Sequence, residues 1–388
     1  MSKSIVVLGA SGCIGRQTLD VISQHPDLYQ LKGISIGRNT AFLEEFLKKS
    51  SVEHVCLMKE EDMNRFAGEY PAIRFYCGNE GLNQISSLDG VDVLFNAIQG
   101  FDGLMPTITA IRKGIDVAVA NKESLIAAGD IVVREATEHN VNLIPIDSEH
   151  SAIFQCMNGY RYEDVRRLII TASGGAFRDL SRAELQNVTR EDALRHPKWH
   201  MGNKITIDSA TMMNKGFEVI EAHVLFGMPY EKIETVIHPE SIVHSLVEFN
   251  DHSVLAELAV ADMRVAIQYA LSYPRKIDNS SESLDLCKLG SLSFKPMDTE
   301  RFPLVELAYK AGKMGGNMPA ILNGANELAV DSFLEGKCRF IDIEKINFEV
   351  CRRGEAIYKK DCSLEDIVIA NSWATQQAQS IMESLEGE

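Results

Sequence analysis

The sequence lacks any apolar run of the ~18 to 20 residues that a membrane-spanning helix needs, and none of its eight cysteines belongs to a Cys-x-x-Cys pair. The first absence predicts that the protein has no membrane partner. The second is typical of reduced structural thiols rather than of a disulfide framework or a zinc site. The first four residues lead directly into the strand pattern 5–8, without the cleavage site of a signal peptide, so we expect a cytoplasmic protein.

The sequence also has fewer basic than acidic residues. The chain has 39 lysines and arginines against 55 aspartates and glutamates, a formal net charge of −16 at pH 7. Because such a surplus repels polyanions, we predict no nucleic-acid partner, and a phosphate group would need a local cluster of donors. With 388 residues, 45% of them hydrophobic, the composition is typical of a globular protein of two or three domains.

Residues 1–147 alternate short β-branched runs with helical patterns, which is typical of a parallel sheet covered by helices on both faces. The predicted strands are 5–8, 31–36, 54–58, 73–76, 91–98, 116–120 and 143–146. The fold class is therefore predicted to be α/β, with a doubly wound, Rossmann-like domain over residues 1–147.

The pattern changes after residue 147. A strand pattern at 168–171, a long helical pattern at 205–226 and strand patterns at 233–237, 242–249 and 253–260 are present. They predict an antiparallel α+β domain over residues 148–273. Residues 274–302 lack periodicity and are interpreted as a connector, and an all-helical C-terminal domain is predicted over residues 303–388.

A glycine-rich segment, residues 9–15, lies between the first strand pattern and the first helix pattern. Its glycines permit a tight turn that leaves helix amides open to a pyrophosphate, although tight-turn packing is an alternative. Where NAD-binding folds place a carboxylate, at the end of the second strand, this chain has Arg38. A guanidinium suits a 2′-phosphate and favours NADP(H), with a solvated surface arginine as the alternative.

Polar residues follow the sixth strand pattern, at the end of a strand where open α/β sheets bind ligands. Lys122 can place its ammonium against a substrate oxygen, while Asn121 and Glu123 can line the nicotinamide edge. A helix cap followed by a solvated lysine is the alternative.

Two carboxylates follow the seventh strand pattern, on Asp147 and Glu149. In extended backbone, residues two apart point to the same side, so these carboxylates can converge on a hard divalent cation, Mg²⁺ or Mn²⁺. An acidic helix start capped by Ser148 is the alternative. A third carboxylate, Glu218, shares a helix face with Glu221 and can complete the site.

Two further clusters surround these carboxylates in the predicted catalytic domain. Hydroxyl, amide and ammonium donors that can hold a phosphate are present on Ser173, Ser209, Asn214 and Lys215. Residues 196–202 concentrate ring-bearing side chains around a proline and a glycine, which is typical of a lid that excludes water, with core packing as the alternative.

Taken in order, these segments resemble the 1-deoxy-D-xylulose 5-phosphate reductoisomerase family of isoprenoid precursor biosynthesis. The matching stretches, spread over nearly the whole chain, lie at 9–15, 120–124, 147–150, 173–175, 196–202, 209–216 and 323–327. The resemblance implies an oxidoreductase that isomerises and reduces the sugar phosphate 1-deoxy-D-xylulose 5-phosphate to 2-C-methyl-D-erythritol 4-phosphate. It also implies NADPH and Mg²⁺ or Mn²⁺ as cofactors, and a homodimer. On this basis residues 1–147 are expected to be the NADPH-binding domain, and residues 148–273 the domain of catalysis, metal binding and dimerisation.

The resemblance further implies roles for individual residues. The metal ligands, which with Lys122 are also the catalytic residues, are Asp147, Glu149 and Glu218. The substrate-binding residues are Lys122, Ser148, Glu149, Ser173, His196, Ser209, Asn214, Lys215 and Glu218. The cofactor-binding residues are Ser11, Gly12, Cys13, Ile14, Gly37, Arg38, Asn39, Asn121, Glu123 and Gly202. Trp199 and Met201 would belong to the mobile lid.

Three residues depart from the family's pattern: Cys13 stands in place of a common serine, and Ala176 and Ala261 in place of common prolines. The two alanines bear on loop rigidity rather than on the chemistry. Two other functions stay open from the residues alone. One is a metal-independent, semialdehyde-type NADP dehydrogenase, which a chelator would not inhibit. The other is a non-catalytic NADPH-binding regulator, which would not consume NADPH.

Overall fold

The computed structural model describes residues 2–199 and 201–385. Residue 200, in the predicted lid loop, and residues 1 and 386–388, at the ends of the predicted domains, lie outside the described residues. The chain divides into two compact units. The first comprises residues 1–124, 132–151 and 262–281, and the second comprises residues 125–131, 152–261 and 282–388. The predicted domain boundaries after residues 147, 273 and 302 stay predictions.

The first unit contains a seven-stranded parallel sheet with the order β4-β3-β2-β1-β5-β6-β7. Its strands are β1 (Lys3–Leu8), β2 (Tyr29–Ile36), β3 (His54–Leu57), β4 (Arg74–Cys77), β5 (Val93–Asn96), β6 (Asp116–Val119) and β7 (Leu143–Pro145). All seven predicted strands are confirmed, as is the doubly wound class. Residues 5–8 of β1 are 0% exposed, because helices cover both faces of the sheet at its centre.

The α-helices are α1 (Cys13–Gln24), α2 (Thr40–Leu47), α3 (Glu60–Glu69), α4 (Gly78–Ile85), α5 (Leu104–Arg112), α6 (Lys122–Glu138), α7 (Ser148–Met157), α8 (Arg190–Ala193), α9 (Asn203–Ala210), α10 (Met213–Phe226), α11 (Met263–Ser272), α12 (Leu286–Leu289), α13 (Leu304–Met314), α14 (Met318–Leu334), α15 (Phe340–Gly354) and α16 (Leu364–Leu385). Helix α11 stands in the first unit, where it packs on α1. Within residues 2–199 and 201–385, no helix combines the length and hydrophobicity that crossing a membrane requires.

The second unit contains a five-stranded sheet with the order β11-β10-β8-β9-β12. Its strands are β8 (Val165–Ala172), β9 (Ile233–Ile237), β10 (Val243–Phe249), β11 (Val254–Leu258) and β12 (Lys295–Pro296). Strands β8 and β9 are parallel, so the expectation of a wholly antiparallel sheet is wrong. The reason is the long helical crossover through α8, α9 and α10, which returns the chain in the same direction.

The helical pattern at 205–226 predicted one long helix, and this expectation is also wrong. Helix α9 ends with the C-cap residue Thr211, and α10 starts after Met212, whose φ of 62° is left-handed. A left-handed residue cannot continue a right-handed helix, so the chain bends there. This elbow determines where the polar residues at each side of it lie.

The C-terminal part of the second unit is helical, as predicted, with α13 to α16 packed around α14. Thirteen of the seventeen residues of α14 are buried. The apolar ones among them, such as Ile321 and Val330, share one hydrophobic core with the central sheet and with α10. Phe217 and Phe340, both at most 1% exposed, also contribute to this core. The C-terminal helices therefore pack against the elbow between α9 and α10.

Candidate active site

The glycine-rich segment follows β1 and needs its glycines. Gly9 has a φ of 72°, and a Cβ atom there would lie 2.4 Å from the carbonyl oxygen of Ala97. A Cβ on Gly15 would lie 2.3 Å from the carbonyl oxygen of Gly9. Gly12 is the N-cap residue of α1 and has no side chain to occupy the first-turn amides. The turn therefore presents the start of a helix that can accept a pyrophosphate.

Residues 37–39 follow β2, which pairs with β1 in parallel, so both strands end at the same edge of the sheet. All three residues are exposed. Asn39 is the N-cap of α2, and its side chain accepts a hydrogen bond from the backbone N–H of Phe42 at 3.1 Å. Nothing lies within 4 Å of a Cβ built on Gly37. Arg38 therefore stands at an open edge beside the glycine turn.

Asn121 is the N-cap of α6 and is 0% exposed. Its Oδ1 accepts from the backbone N–H of Ser124 at 3.1 Å, and its Nδ2 donates to the carbonyl oxygens of Ile98 at 2.8 Å and Gly100 at 2.7 Å. Asn121 is thus the cap of the alternative interpretation, but Lys122, 8% exposed, is not the solvated lysine that this interpretation includes. Asn121 ties the loop after β5 to the start of α6, and its place at the nicotinamide stays a prediction, as does that of Glu123.

Lys122 is the first residue of α6, and its ammonium forms an ion pair with Asp147. Lys122 Nζ lies 2.6 Å from Oδ2 of Asp147, and the two side chains are 10% and 17% exposed. Both residues follow strands that pair in parallel, β6 and β7, which explains why they meet. A largely buried ion pair with this geometry holds the ammonium in one place at the end of the sheet.

Two of the three predicted metal ligands, Asp147 and Glu149, follow β7 in the first unit, and Glu218 belongs to α10 in the second unit. Their role as one metal site stays a prediction. Oxygen donors without cysteine suit Mg²⁺ or Mn²⁺, so the residues fit the predicted cation. His150, which the sequence patterns did not single out, stands three residues after Asp147 in α7 and is 0% exposed.

Ser148, the predicted substrate residue between the two acids, is the first residue of α7. Its hydroxyl donates a hydrogen bond to Oε2 of Glu149 at 2.5 Å. That bond orients the Glu149 carboxylate, so Ser148 acts on a neighbouring ligand residue in this structure.

The loop after β8 places Ser173 beside His196, with 3.0 Å between Oγ and Nε2. The backbone N–H of Gly175 also donates to Ser173 Oγ, at 3.2 Å. Gly175 has a φ of 66°, and a Cβ there would lie 2.3 Å from the carbonyl oxygen of Ser209. The loop and the end of α9 are therefore packed closely enough to put both serines in one region.

His196 is kept neutral by its surroundings. Burial lowers the pKa of its imidazole from 6.5 to about 4. The ring is therefore uncharged near pH 7, where it can take part in hydrogen bonds without adding a charge. In this state it does not supply the positive charge that a phosphate attracts.

The cationic donor of the predicted phosphate site is Lys215, in the first turn of α10. Lys215 is 3% exposed, and its Nζ forms an ion pair with Oε2 of Glu218, which is 1% exposed. The amide of Asn214 donates to the other oxygen of the same carboxylate, Oε1. Lys215 and Asn214, both predicted to bind the phosphate, thus contact the carboxylate of Glu218, which is predicted to bind the metal.

The predicted lid residues lie just before α9. Trp199 is half-buried, with its ring centroid 6.0 Å from that of His244. Met201 is half-buried as well, and Gly202 is the N-cap residue of α9. Partial exposure fits neither a core tryptophan nor a fully solvated one, and the role of Trp199 and Met201 as a lid stays a prediction.

Sequence comparison agrees with these features. Three family models match the chain: 1-deoxy-D-xylulose 5-phosphate reductoisomerase at residues 5–129, the C-terminal domain of that enzyme at residues 143–226, and the DXP reductoisomerase C-terminal domain at residues 258–377. The chain is also 51% identical over 344 residues to the 1-deoxy-D-xylulose 5-phosphate reductoisomerase of Macrococcus caseolyticus (strain JCSC5402). This match covers 89% of the chain and 91% of that relative.

Solved structures show the same similarity. The 1-deoxy-D-xylulose 5-phosphate reductoisomerase from Zymomonas mobilis in complex with NADPH superposes with a TM-score of 0.91 at 41% identity, covering 99% of this chain and 100% of that one. A DOX-P reductoisomerase in complex with NADPH, fosmidomycin and magnesium gives a TM-score of 0.95 at 36% identity, covering 99% of both chains. The chain therefore belongs to the 1-deoxy-D-xylulose 5-phosphate reductoisomerase family.

Proposed function

We propose that the chain converts 1-deoxy-D-xylulose 5-phosphate into 2-C-methyl-D-erythritol 4-phosphate, with NADPH and Mg²⁺ or Mn²⁺ as cofactors. The observation that carries this proposal is the largely buried ion pair of Lys122 with Asp147, 2.6 Å between Nζ and Oδ2, where two parallel strands of the NADPH-binding type of sheet end. The relatives named for this activity, and the relative solved with NADPH, fosmidomycin and magnesium, support it.

The three carboxylates are the residues that would hold the cation. When bound, a divalent cation acts as a Lewis acid that polarises the substrate carbonyl and acidifies the adjacent hydroxyl. The carboxylates would fix the position of that cation, and Ser148 orients Glu149 through its 2.5 Å hydrogen bond. NADPH, when bound, would supply the hydride that, with a proton, reduces the branched aldehyde formed by rearrangement of the carbon skeleton.

Lys122 supplies a fixed positive charge beside the reacting oxygens. Its ion pair with Asp147 holds Nζ before substrate arrives, so little reorganisation is needed when negative charge develops on oxygen. We assign this electrostatic role, and contact with substrate, to Lys122.

The phosphate of the substrate is assigned to donors around the elbow of α9 and α10. They are Ser173, His196, Ser209, Asn214 and Lys215. Binding a remote phosphate lets the enzyme use that binding energy to align the reacting carbons, and Trp199 and Met201 would exclude water over them. In a chain of net charge −16, such local donors are what makes anion binding possible.

NADPH is assigned to the open edge formed by the ends of β1, β2 and β6. The glycine turn, with Ser11, Gly12, Cys13 and Ile14, would receive the pyrophosphate at the start of α1. Residues 37–39 would hold the adenosine end, with Arg38 on the 2′-phosphate. Asn121, Glu123 and Gly202 are assigned to the nicotinamide end.

We also propose a cytoplasmic homodimer. The eight cysteines are free thiols, as expected in a reducing compartment. Strand β11 forms an edge of its sheet and exposes apolar side chains, with Val254 46% and Leu255 37% exposed. A second copy would cover such an edge. Leu255→Lys should shift the molar mass measured by light scattering to that of a monomer, whereas Met58→Lys, on a residue 40% exposed, should not.

The test of the activity follows NADPH absorbance with 1-deoxy-D-xylulose 5-phosphate, with and without Mg²⁺ or Mn²⁺. Turnover should require the cation and should fall at least about a thousandfold in Glu149→Gln, while Glu60→Gln, an exposed residue of α3, should be unaffected. Turnover that survives a chelator would instead favour a metal-independent dehydrogenase. Binding of NADPH without consumption would favour a regulator.

A further inference from the structure

A buried hydrogen bond joins α9 to the C-terminal helices. Asn326, in α14, donates from Nδ2 to Oδ1 of Asp208, in α9, at 2.7 Å. The other oxygen of Asp208 accepts from Lys204 Nζ at 2.9 Å. Asp208 is 2% exposed and Asn326 is 0% exposed. A buried carboxylate paired at both oxygens is held in one orientation, because losing either donor leaves a desolvated charge short of a partner.

Asn326 is itself held by the next helix. Its Oδ1 accepts from Nδ2 of Asn347, in α15, at 3.3 Å, and Asn347 also donates to the carbonyl oxygen of Ile343 at 2.8 Å. The three side chains thus form a buried polar connection from α9 through α14 to α15. It gives a role to residues 323–327, the matching stretch that the active site leaves without one.

Helix α9 depends on tertiary contacts for its stability. It has only eight residues, too few to be stable without tertiary packing. Ser209, the residue after Asp208, belongs to the phosphate site, and the elbow beyond α9 leads directly to Asn214 and Lys215. On the other side, the close approach of Gly175 to Ser209 leaves no room for α9 to move towards the loop of Ser173.

We propose that Asn326 is a positioning residue for the phosphate site. Because it is fully buried, it acts through Asp208: it fixes α9, and with it the distance of Ser209 from Ser173. The inference rests on the proposed function, in which these serines bind the phosphate of the substrate.

Asn326→Ala tests the inference, with Asn323→Ala as the matched control. Asn323 lies one turn earlier in α14 and is also 0% exposed, but its Nδ2 donates to Asn371 in α16, at 3.0 Å, and not to α9. The measurements are KM and kcat for 1-deoxy-D-xylulose 5-phosphate, the Kd for inorganic phosphate by calorimetry, and urea unfolding. Asn326→Ala should raise KM and Kd about tenfold with kcat changed less than about twofold, whereas Asn323→Ala should lose stability with both constants unchanged.

An exchange of the two side chains gives a second readout if Asn326→Ala does not fold. Asn326→Asp alone sets two carboxylates against each other and should weaken phosphate binding. Adding Asp208→Asn restores the donor, the acceptor and the net charge, and should bring Kd back to within about threefold of the wild type. Equal effects of the two alanine variants on Kd, or no recovery in the exchanged pair, would overturn the inference. A wild-type protein that binds phosphate but does not turn over the substrate would instead reject the proposed function.

Discussion

His196 and Ser173 are joined by a hydrogen bond of 3.0 Å between Nε2 and Oγ, and the direction of this bond follows from the other side of the ring. Nδ1 accepts from the backbone N–H groups of Lys198, at 3.2 Å, and Trp199, at 2.9 Å. Backbone N–H groups only donate, so the proton of the neutral ring lies on Nε2. Ser173 Oγ therefore accepts from the ring and from Gly175, and its own hydroxyl proton is directed to a further acceptor such as a phosphate oxygen.

This geometry predicts that two substitutions at His196 separate its role as donor to Ser173 from its role as acceptor for the backbone of residues 198–199. Asparagine retains an acceptor near the position of Nδ1, and glutamine retains a donor near the position of Nε2. His196→Asn should raise KM for the substrate about tenfold, since Ser173 loses its donor, and His196→Gln should raise it about threefold or less. Steady-state kinetics with NADPH at saturation measures both values.

The same two variants should differ in the opposite direction in their effect on the backbone of residues 198–199. His196→Gln loses the acceptor for Trp199 and should show a red-shifted tryptophan emission and faster proteolysis near that residue, whereas His196→Asn should not. Trp373→Phe provides the background, because the chain has two tryptophans. Identical spectra for the two variants would contradict the proposed tautomer.

The lowered pKa of His196 predicts a dependence of stability on pH. The imidazole has a pKa of about 4 in the folded protein against 6.5 as its ordinary value. Between these pH values the unfolded chain binds a proton that the folded chain does not. The contribution of neutral His196 to the free energy of unfolding is therefore complete above pH 6.5 and is lost as pH falls towards 4. The free energy of unfolding should therefore decrease in this range by about 1 to 2 kcal/mol more in the wild type than in His196→Asn. Urea unfolding at several pH values measures the difference, and parallel curves would contradict it.

The sequence predicted the parts of the site that follow strands. In a parallel sheet the carboxyl ends share one edge, so the glycine turn, Arg38, Lys122 and Asp147 were expected near that edge before any coordinates. The metal site of Asp147, Glu149 and Glu218 stays a prediction. The positions at the sheet edge could be predicted because one strand direction fixes the positions of many loops at once.

Other features were beyond the sequence reasoning, for identifiable reasons. The break between α9 and α10 depends on the left-handed backbone of Met212, a residue type that gives no turn signal. The contact between Asn326 and Asp208 joins residues that are 118 positions apart, and helical periodicity gives no partner for a buried asparagine. The sequence is compatible with Asn121 as a cofactor residue or as a cap, and the cap is shown by the hydrogen bond that its Oδ1 accepts from the backbone N–H of Ser124.

Phosphate affinity in the absence of a metal is expected to rise in Glu218→Gln. In the structure Lys215 forms a buried ion pair with Glu218, and a phosphate must compete with that carboxylate for the ammonium. Removing the negative charge should tighten the binding of inorganic phosphate in a chelator by about three- to tenfold, although metal-dependent turnover is lost. Glu221→Gln is the control, since Glu221 is equally buried in α10. Calorimetry that shows weaker phosphate binding in Glu218→Gln would contradict the assignment of Lys215.

Arg38 should determine the preference for NADPH over NADH. It stands exposed at the end of β2, beside the turn that follows β1, where the adenosine ribose of a dinucleotide would lie. A charge-assisted contact between its guanidinium and a 2′-phosphate contributes about 1.5 to 3 kcal/mol, so Arg38→Ala should raise KM for NADPH about 10- to 100-fold. KM for NADH, which has no 2′-phosphate, should change less than about twofold, because the glycine turn that receives the pyrophosphate is intact. Arg65→Ala, an exposed arginine of α3 that pairs with Glu44 at 2.9 Å, should alter neither constant. A parallel loss of affinity for both dinucleotides in Arg38→Ala would show that the residue supports the loop and does not select the cofactor.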